Sequence, residues 1–182
     1  PNVNAINQNR ELKKNIGIVV PNLAETFFAE IARNLEIKCI KEGYTPTLFS
    51  SHGDQLLENN IMDTLRSSKP AGVLFAPLGR QSDKCKVEKF CQNVPTILFD
   101  SNIEGLGAAF IGSNNYSFIE QTVEYLSSTG KSPYFFEMRN PANPNANKRR
   151  NAYLKIMQKL KLNPEIIKIE GTGWNFEEIA KN

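Results

Sequence analysis

Three short runs of this chain are apolar on both faces: "IGIVV" at 16–20, "AGVLFAP" at 71–77 and "TILF" at 96–99. A strand with one wet face alternates apolar and polar residues. A run without that alternation is a strand buried on both sides. Such strands belong in a parallel sheet, and parallel neighbours need crossover helices to join them. The segments between the runs read as those helices. "TFFAEIARNLEIKCIKEG" puts Phe28, Ile31, Leu35 and Cys39 at helical spacing and stops at Gly43. "DQLLENNIMDTLRSS" sets Leu56, Leu57, Ile61 and Leu65 on one stripe, and "SDKCKVEKFCQN" is a short helix. "TPTLFSS" and "AAFIGSNN" complete the strands of this part. Right-handed crossovers wind such a series into an α/β fold with doubly wound parallel sheets.

Further on, "YSFIEQTVEYLSSTG" is a helix with Ser117 and Glu120 spaced as a capping box and Gly130 at its end. "PYFFEM" is a strand, "ANKRRNAYLKIMQKLKL" a helix, "EIIKIEG" a strand, and "NFEEIAK" opens another helix. From about residue 114 only two strands are therefore expected, at 133–138 and 165–170. Two strands make a marginal sheet, so the expectation is a second lobe left incomplete at Asn182. Residues 1–14, "PNVNAINQNRELKK", are polar and read as a linker or a marginal helix. The organisation expected is a linker at 1–14, a first lobe at 15–113 and a partial second lobe at 114–182.

Composition excludes several classes. A net charge of +3 is too mild to imply a nucleic-acid or membrane surface by itself. No apolar run approaches the ~18 residues needed to span a bilayer. The chain starts at Pro1 without an export-signal pattern. Cys39, Cys85 and Cys91 are odd in number and irregular in spacing, which argues for reduced, mostly buried thiols of a cytoplasmic protein rather than a disulfide framework. Cys85 and Cys91 are also wrongly spaced for a zinc knuckle.

Enzyme motifs are sparse. No G-x-G-x-x-G follows the first strand, and no Walker A motif occurs. "EGLGAAFIG" is glycine-rich but lies between strands. The single histidine, His52, sits in "SSHGDQ". Sequence neighbours do not make a triad, so a solvated loop histidine is expected. Asp100 and Glu104 are a conceivable acid pair with nothing beside them to support acid–base work. The chain is read as a non-enzyme with no cofactor and no metal.

Binding groups remain at the carboxyl ends of strands, where open α/β sheets take ligands. The loops concerned are "PNLAETFF", "PLGRQS" and "DSNIEG". Apolar residues that pack on a sheet from one helix face lie three or four apart, not side by side, so Phe27 and Phe28 either both pack in the core, the reading preferred for Phe28, or one of them, Phe27, offers an aromatic face to a sugar-like ring. Asp100, directly after "TILF", either accepts hydroxyl hydrogen bonds or caps a turn. Arg149 either forks across a ligand's oxygens or belongs to a solvated basic face with Lys148 and Arg150.

The order of these segments resembles that of LacI-family transcription regulators, the lactose, galactose and purine repressors. "IGIVVPNLAETFFAEIARNLEIKCIKEGYTPTLFSS" resembles the family's I-G-x-x-x-P-x-x-x-N-P-F-F-x-x-I stretch. "AGVLFAPLG" resembles D-G-I-I-x-x-P, and "VPTILFDSN" resembles I-P-V-V-x-x-D-R. "FIGSNNYSFIEQTVEYLSSTGKSPYFFE" and "NKRRNAYLKIMQ" resemble two later segments. The resemblance implies a two-lobed, periplasmic-binding-protein-like effector domain that closes on a small ligand, a sugar or a purine. By position it implies that Phe27, Phe28, Asp100, Ser101, Asn145 and Arg149 contact that ligand. The chain departs from the pattern at Glu25-Thr26, Ser101 and Ala152, which leaves the ligand's identity open.

The same resemblance makes residues 1–14 a DNA-binding hinge, with Pro1, Asn2 and Ala5 in register and Gln8 where the family places a leucine wedge in the minor groove. It implies operator DNA bound through a helix-turn-helix domain before Pro1, and a homodimer in which the helix over 28–42 contributes to the interface. The rival is a periplasmic sugar-binding protein of a transporter, which shares the fold.

Overall fold

The structure is a computed structural model, and it describes residues 14–138 and 144–169. The hinge residues Asn2, Ala5 and Gln8, and the helix expected from "NFEEIAK", lie outside the described residues. The chain divides into two compact units, Pro1–Gly112 and Ser113–Asn182.

The first unit runs β1 (Asn15–Val20), α1 (Thr26–Lys41), β2 (Thr45–Ser50), α2 (Gln55–Ser68), β3 (Gly72–Phe75), α3 (Lys84–Asn93), β4 (Thr96–Phe99) and β5 (Ala109–Ile111). All neighbouring strands are parallel, in the order β2-β1-β3-β4-β5. The order reverses between β1 and β3, so the chain winds in opposite directions on either side of that pair. This is the point where a doubly wound sheet opens a crevice at its carboxyl edge.

Period-two alternation sends the strand residues to two cores. Val19, Val73, Phe75 and Leu98 pack with Ile61, Met62 and Leu65 of α2 and Val87 and Phe90 of α3. Ile18 and Val20 point the other way and pack with Phe28 and Ala32 of α1. Each large side chain so buried contributes about 1.5–3 kcal/mol. Gly17 lets the helix layer approach β1 closely, because a Cβ there would lie 2.7 Å from Leu65 Cδ2.

The second unit runs α4 (Asn115–Ser128), β6 (Tyr134–Met138), α5 (Pro144–Lys159) and β7 (Glu165–Ile169), with β6 and β7 parallel. Its core joins Val123 of α4 to Tyr153, Ile156 and Met157 of α5, with Phe135 and Ile166 from the strands. Tyr153 stacks on Phe135 with ring centroids 5.2 Å apart. Its buried hydroxyl lies 2.9 Å from the Pro133 carbonyl and 3.1 Å from the Glu165 carbonyl, and accepts the Glu165 N–H at 2.9 Å. One phenol therefore ties the start of both strands to α5.

Four sequence expectations change. Strand β4 is not buried on both faces: Leu98 is fully buried, but Ile97 on the opposite side is 37% exposed. The stripe of α2 is Glu58, Ile61, Met62 and Leu65, while Leu56 is 72% exposed. Those buried positions keep strict i, i+3, i+4, i+7 spacing, and a glutamate in the first of them disguised it. Helix α4 begins two residues before Ser117: Asn114 is its cap and accepts the Ser117 N–H at 3.1 Å, and Ser117 lies inside the helix. The cysteines are free thiols as expected, but none is fully buried, and Cys85 is exposed.

Candidate functional site

The crevice of the first unit is built from the loops after β1, β3 and β4. After β1 the chain turns at Pro21, with the Asn22 side chain accepting the Ala24 N–H at 2.9 Å. It then enters α1 with Glu25 at the cap position but making no side-chain cap bond. Burial pushes the Glu25 carboxyl up; a hydrogen bond with Asn22 opposes this, and the neighbouring charge of Asp100 adds to it. Glu25 and Asp100 are thus electrostatic neighbours although 75 positions apart in sequence.

The adjacent phenylalanines divide as helical geometry requires. Phe28 is 7% exposed and belongs to the α1 core, whereas Phe27 is 54% exposed. Their rings meet edge to face at 5.0 Å and 74°, so the buried ring props the exposed one. Phe28's contacts are spent on the core and on that support.

Asp100 follows β4 with φ of 60°, a left-handed conformation that an aspartate tolerates better than most residues. Its N–H is held by the Ile111 carbonyl at 3.1 Å. Ser101 is buried, and its hydroxyl donates to Asp100 Oδ2 at 3.3 Å. The Ser101 hydroxyl thereby holds one oxygen of the carboxylate. A carboxylate held this way is a strong acceptor for hydroxyl donors.

The loop after β3 is anchored from beneath by a residue that sequence reasoning missed. Glu58 on α2 is fully buried. Its Oε1 accepts the Leu78 N–H at 2.9 Å and the Ser82 hydroxyl at 3.2 Å. Burial pushes its carboxyl up, and the two hydrogen bonds partly oppose that. The signal for it was the helical spacing, which Glu58 completes.

In the second unit the structure brings Asn145 and Arg149 together through Asn115, at the start of α4. Asn115 and Asn145 are both buried. The Asn115 amide N–H donates to Asn145 Oδ1 at 3.2 Å, and Arg149 Nε–H donates to Asn115 Oδ1 at 2.7 Å. Pro144 opens α5, a position where its missing N–H costs nothing. Asn115 orients the arginine, while Arg149 as a residue stays exposed. Arg150 turns instead to Glu137, at 3.0 Å.

Other features carry no site. A cavity of about 390 Å³ between α2 and α3 is lined by Asp63, Arg66, Asp83, Lys86 and neighbours. Its two carboxylates are engaged within the fold: Asp63 holds Lys86 at 2.7 Å and Arg66 at 3.2 Å, and Asp83 caps α3. His52 is an exposed loop residue with φ of 50°, and Asp54 beside it caps α2 by accepting the Leu57 N–H. Among the described residues no group of three or more His, Cys, Asp or Glu could hold a metal ion, and no helix is long and apolar enough to cross a membrane.

Comparison with known proteins agrees with this architecture. Residues 16–182 match the family model described as periplasmic binding protein domain. The ribose operon repressor of Bacillus subtilis (strain 168) is 25% identical over 154 residues, which are 84% of this chain and 45% of that protein. The chain spans about half the length of the curated relatives it matches. Among solved structures, a periplasmic binding protein/LacI transcriptional regulator from Alkaliphilus metalliredigens QYMF, complexed with D-xylulofuranose, superposes with a TM-score of 0.72 at 22% identity, covering 88% of this chain and 58% of that one. A LacI family transcriptional regulator from Lactobacillus casei with bound glucose gives 0.73 at 19% identity, covering 92% and 63%. The chain belongs to the periplasmic binding protein domain family, and the solved structures it resembles include LacI family transcriptional regulators.

Proposed function

We propose that this chain is the effector-binding part of a LacI-type transcriptional repressor, and that its effector is a small ligand of the sugar or purine class. The observation that carries the reading is Phe27: an aromatic ring left 54% exposed beside the carboxyl end of β1, at the point where the strand order reverses. An exposed ring there is a stacking face for the C–H side of a sugar or for a purine plane. Phe28 supports it. Asp100, with Ser101, accepts ligand hydroxyls, and Asn145 and Arg149 donate to ligand oxygens. Operator DNA is contacted through a domain preceding the chain, with Asn2, Ala5 and Gln8 in the hinge. The setting is cytoplasmic.

A homodimer fits the exposed side of α1. Ile37 and Ile40 there are 40% and 59% exposed, with Tyr44 just beyond the helix end. That a relative named for repression, the ribose operon repressor of Bacillus subtilis, matches over 84% of this chain favours the repressor over a transporter's solute-binding protein. Calorimetric titration with D-ribose, D-glucose, sucrose and adenine tests the ligand. Sedimentation, with Ile40→Glu as the variant, tests the dimer. A saturable heat with one compound, and a dimer that Ile40→Glu dissociates, are expected. A monomer that binds sugar points to the solute-binding protein instead.

A further inference from the structure

We propose that Glu58 is a positioning residue for ligand binding: buried in α2, it holds the loop Leu78–Ser82 as one wall of the crevice between β1 and β3. The proposal rests on the effector reading above and goes beyond the residues that reading names.

Glu58 is a costly choice for its position. It replaces an apolar residue in the buried stripe of α2, beside Ile61, Met62 and Leu65. A buried carboxyl without partners strongly destabilises a fold, and a leucine would serve packing better. What Glu58 supplies is directed hydrogen bonding to one segment. A single oxygen, Oε1, takes both the Leu78 N–H and the Ser82 hydroxyl. Leu78 leads into a single 3-10 turn, Gly79–Gln81, and Ser82 closes it. The carboxyl thus grips the turn at both ends.

The turn needs that grip. Gly79 is buried with φ of 73°, and within the turn Arg80 and Gln81 are exposed. Within the turn, the Ser82 N–H donates to the Gly79 carbonyl at 3.2 Å. A loop at the carboxyl end of β3 is one of the two jaws of the crevice where the strand order reverses. Holding it from the helix layer, rather than from the ligand side, leaves Arg80 and Gln81 available at the surface. The loop is thereby pre-organised, which lowers the ordering cost of binding.

The experiment compares Glu58→Leu and Glu58→Gln in the full chain. The amide oxygen of glutamine can still accept both bonds, whereas leucine accepts none. Two readouts are taken: amide exchange at Leu78 relative to the amides of β1, and affinity for whichever of D-ribose, D-glucose, sucrose and adenine the wild-type chain binds. Glu58→Leu should speed exchange at Leu78 by about tenfold or more with β1 unchanged, and weaken binding of that compound by about tenfold. Glu58→Gln should stay within about threefold of wild type in both. If Glu58→Leu does not fold, Ser82→Ala removes one of the two donors and should raise Leu78 exchange several-fold. The idea is overturned if Glu58→Leu binds that compound as the wild type does, or if exchange rises equally at Leu78 and in β1, since that is a merely structural residue. A wild-type chain that binds none of D-ribose, D-glucose, sucrose and adenine sinks the effector reading; the anchoring of the loop then stands or falls on Leu78 exchange alone.

Discussion

The two units solve the same packing problem in different ways. In the first, a five-stranded parallel sheet buries alternate residues on both faces, and α1 covers one face while α2 and α3 cover the other. Among the described residues of the second, two strands carry one core on the side of α4 and α5, and Tyr134, Phe136 and Ile167 stand exposed. The first unit is held by interdigitated apolar side chains. The second leans on polar ties: the Tyr153 hydroxyl, the Asn115–Asn145–Arg149 chain, and the Arg150–Glu137 and Lys159–Glu124 ion pairs. The Lys159–Glu124 pair is exposed and contributes little, which leaves the weight on the buried hydroxyl of Tyr153 and the Asn115–Asn145 contact. The lesson is that the geometry of the first unit is set by volume and that of the second by direction.

This contrast can be broken experimentally. Phe75→Ala removes a fully buried ring between β3 and α3, where it meets Phe90 edge to face at 6.4 Å. It should cost about 3–5 kcal/mol, seen as a lower denaturation midpoint in which amides of residues 15–112 lose protection and those of α5 do not. Equal loss in both units would mean that they unfold as one. Tyr153→Phe keeps the ring and deletes only the ties to Pro133 and Glu165. A loss of about 1–3 kcal/mol, with exchange of the Glu165 amide accelerated first, is expected. A neutral result would show that the second unit is held by volume after all.

The mildest test uses pH. Burial raises the Glu58 carboxyl, so the folded protein binds that proton more tightly than the unfolded chain does. Its contribution is complete below the ordinary glutamate range and is lost as pH rises through the raised folded value. Asp63, held low by its hydrogen bond from Lys86, has the opposite sense and loses its contribution as pH falls. Both wild type and Glu58→Gln keep Asp63, so subtracting their stability curves isolates Glu58. The advantage of Glu58→Gln should grow as pH rises from about 4 towards 7; a flat difference would mean that Glu58 does not change protonation on unfolding.

How much of this was legible in the sequence follows from the same physics. Strand β1 could be read directly, because burial on both sides erases alternation; β4 could not, since "TILF" is apolar nearly throughout and yet its Ile97 stands 37% exposed at the sheet surface. The split between Phe27 and Phe28 was implied by helical periodicity and needed only the identity of the buried partner, which α1's packing on Ile18 and Val20 supplies. Glu58 was not legible as a core residue, because a carboxylate reads as solvent-facing until the loop that satisfies it is in view. The cap of α4 was misread for a related reason: Asn114 and Ser117 both suit a cap, and only the position of the first helical hydrogen bond separates them. Asn115 gave no signal at all, since its role is to bridge Asn145 and Arg149, which are 30 and 34 positions away.

The most direct test of the central claim is a calorimetric titration of the wild-type chain and Phe27→Ala with the same sugar. Phe27 is exposed, so its removal should leave stability within about 0.5 kcal/mol. If its ring is the stacking face, affinity should fall by about tenfold or more. Unchanged affinity in a folded Phe27→Ala protein would contradict the account, because the exposed aromatic at the switch point would then have no part in binding.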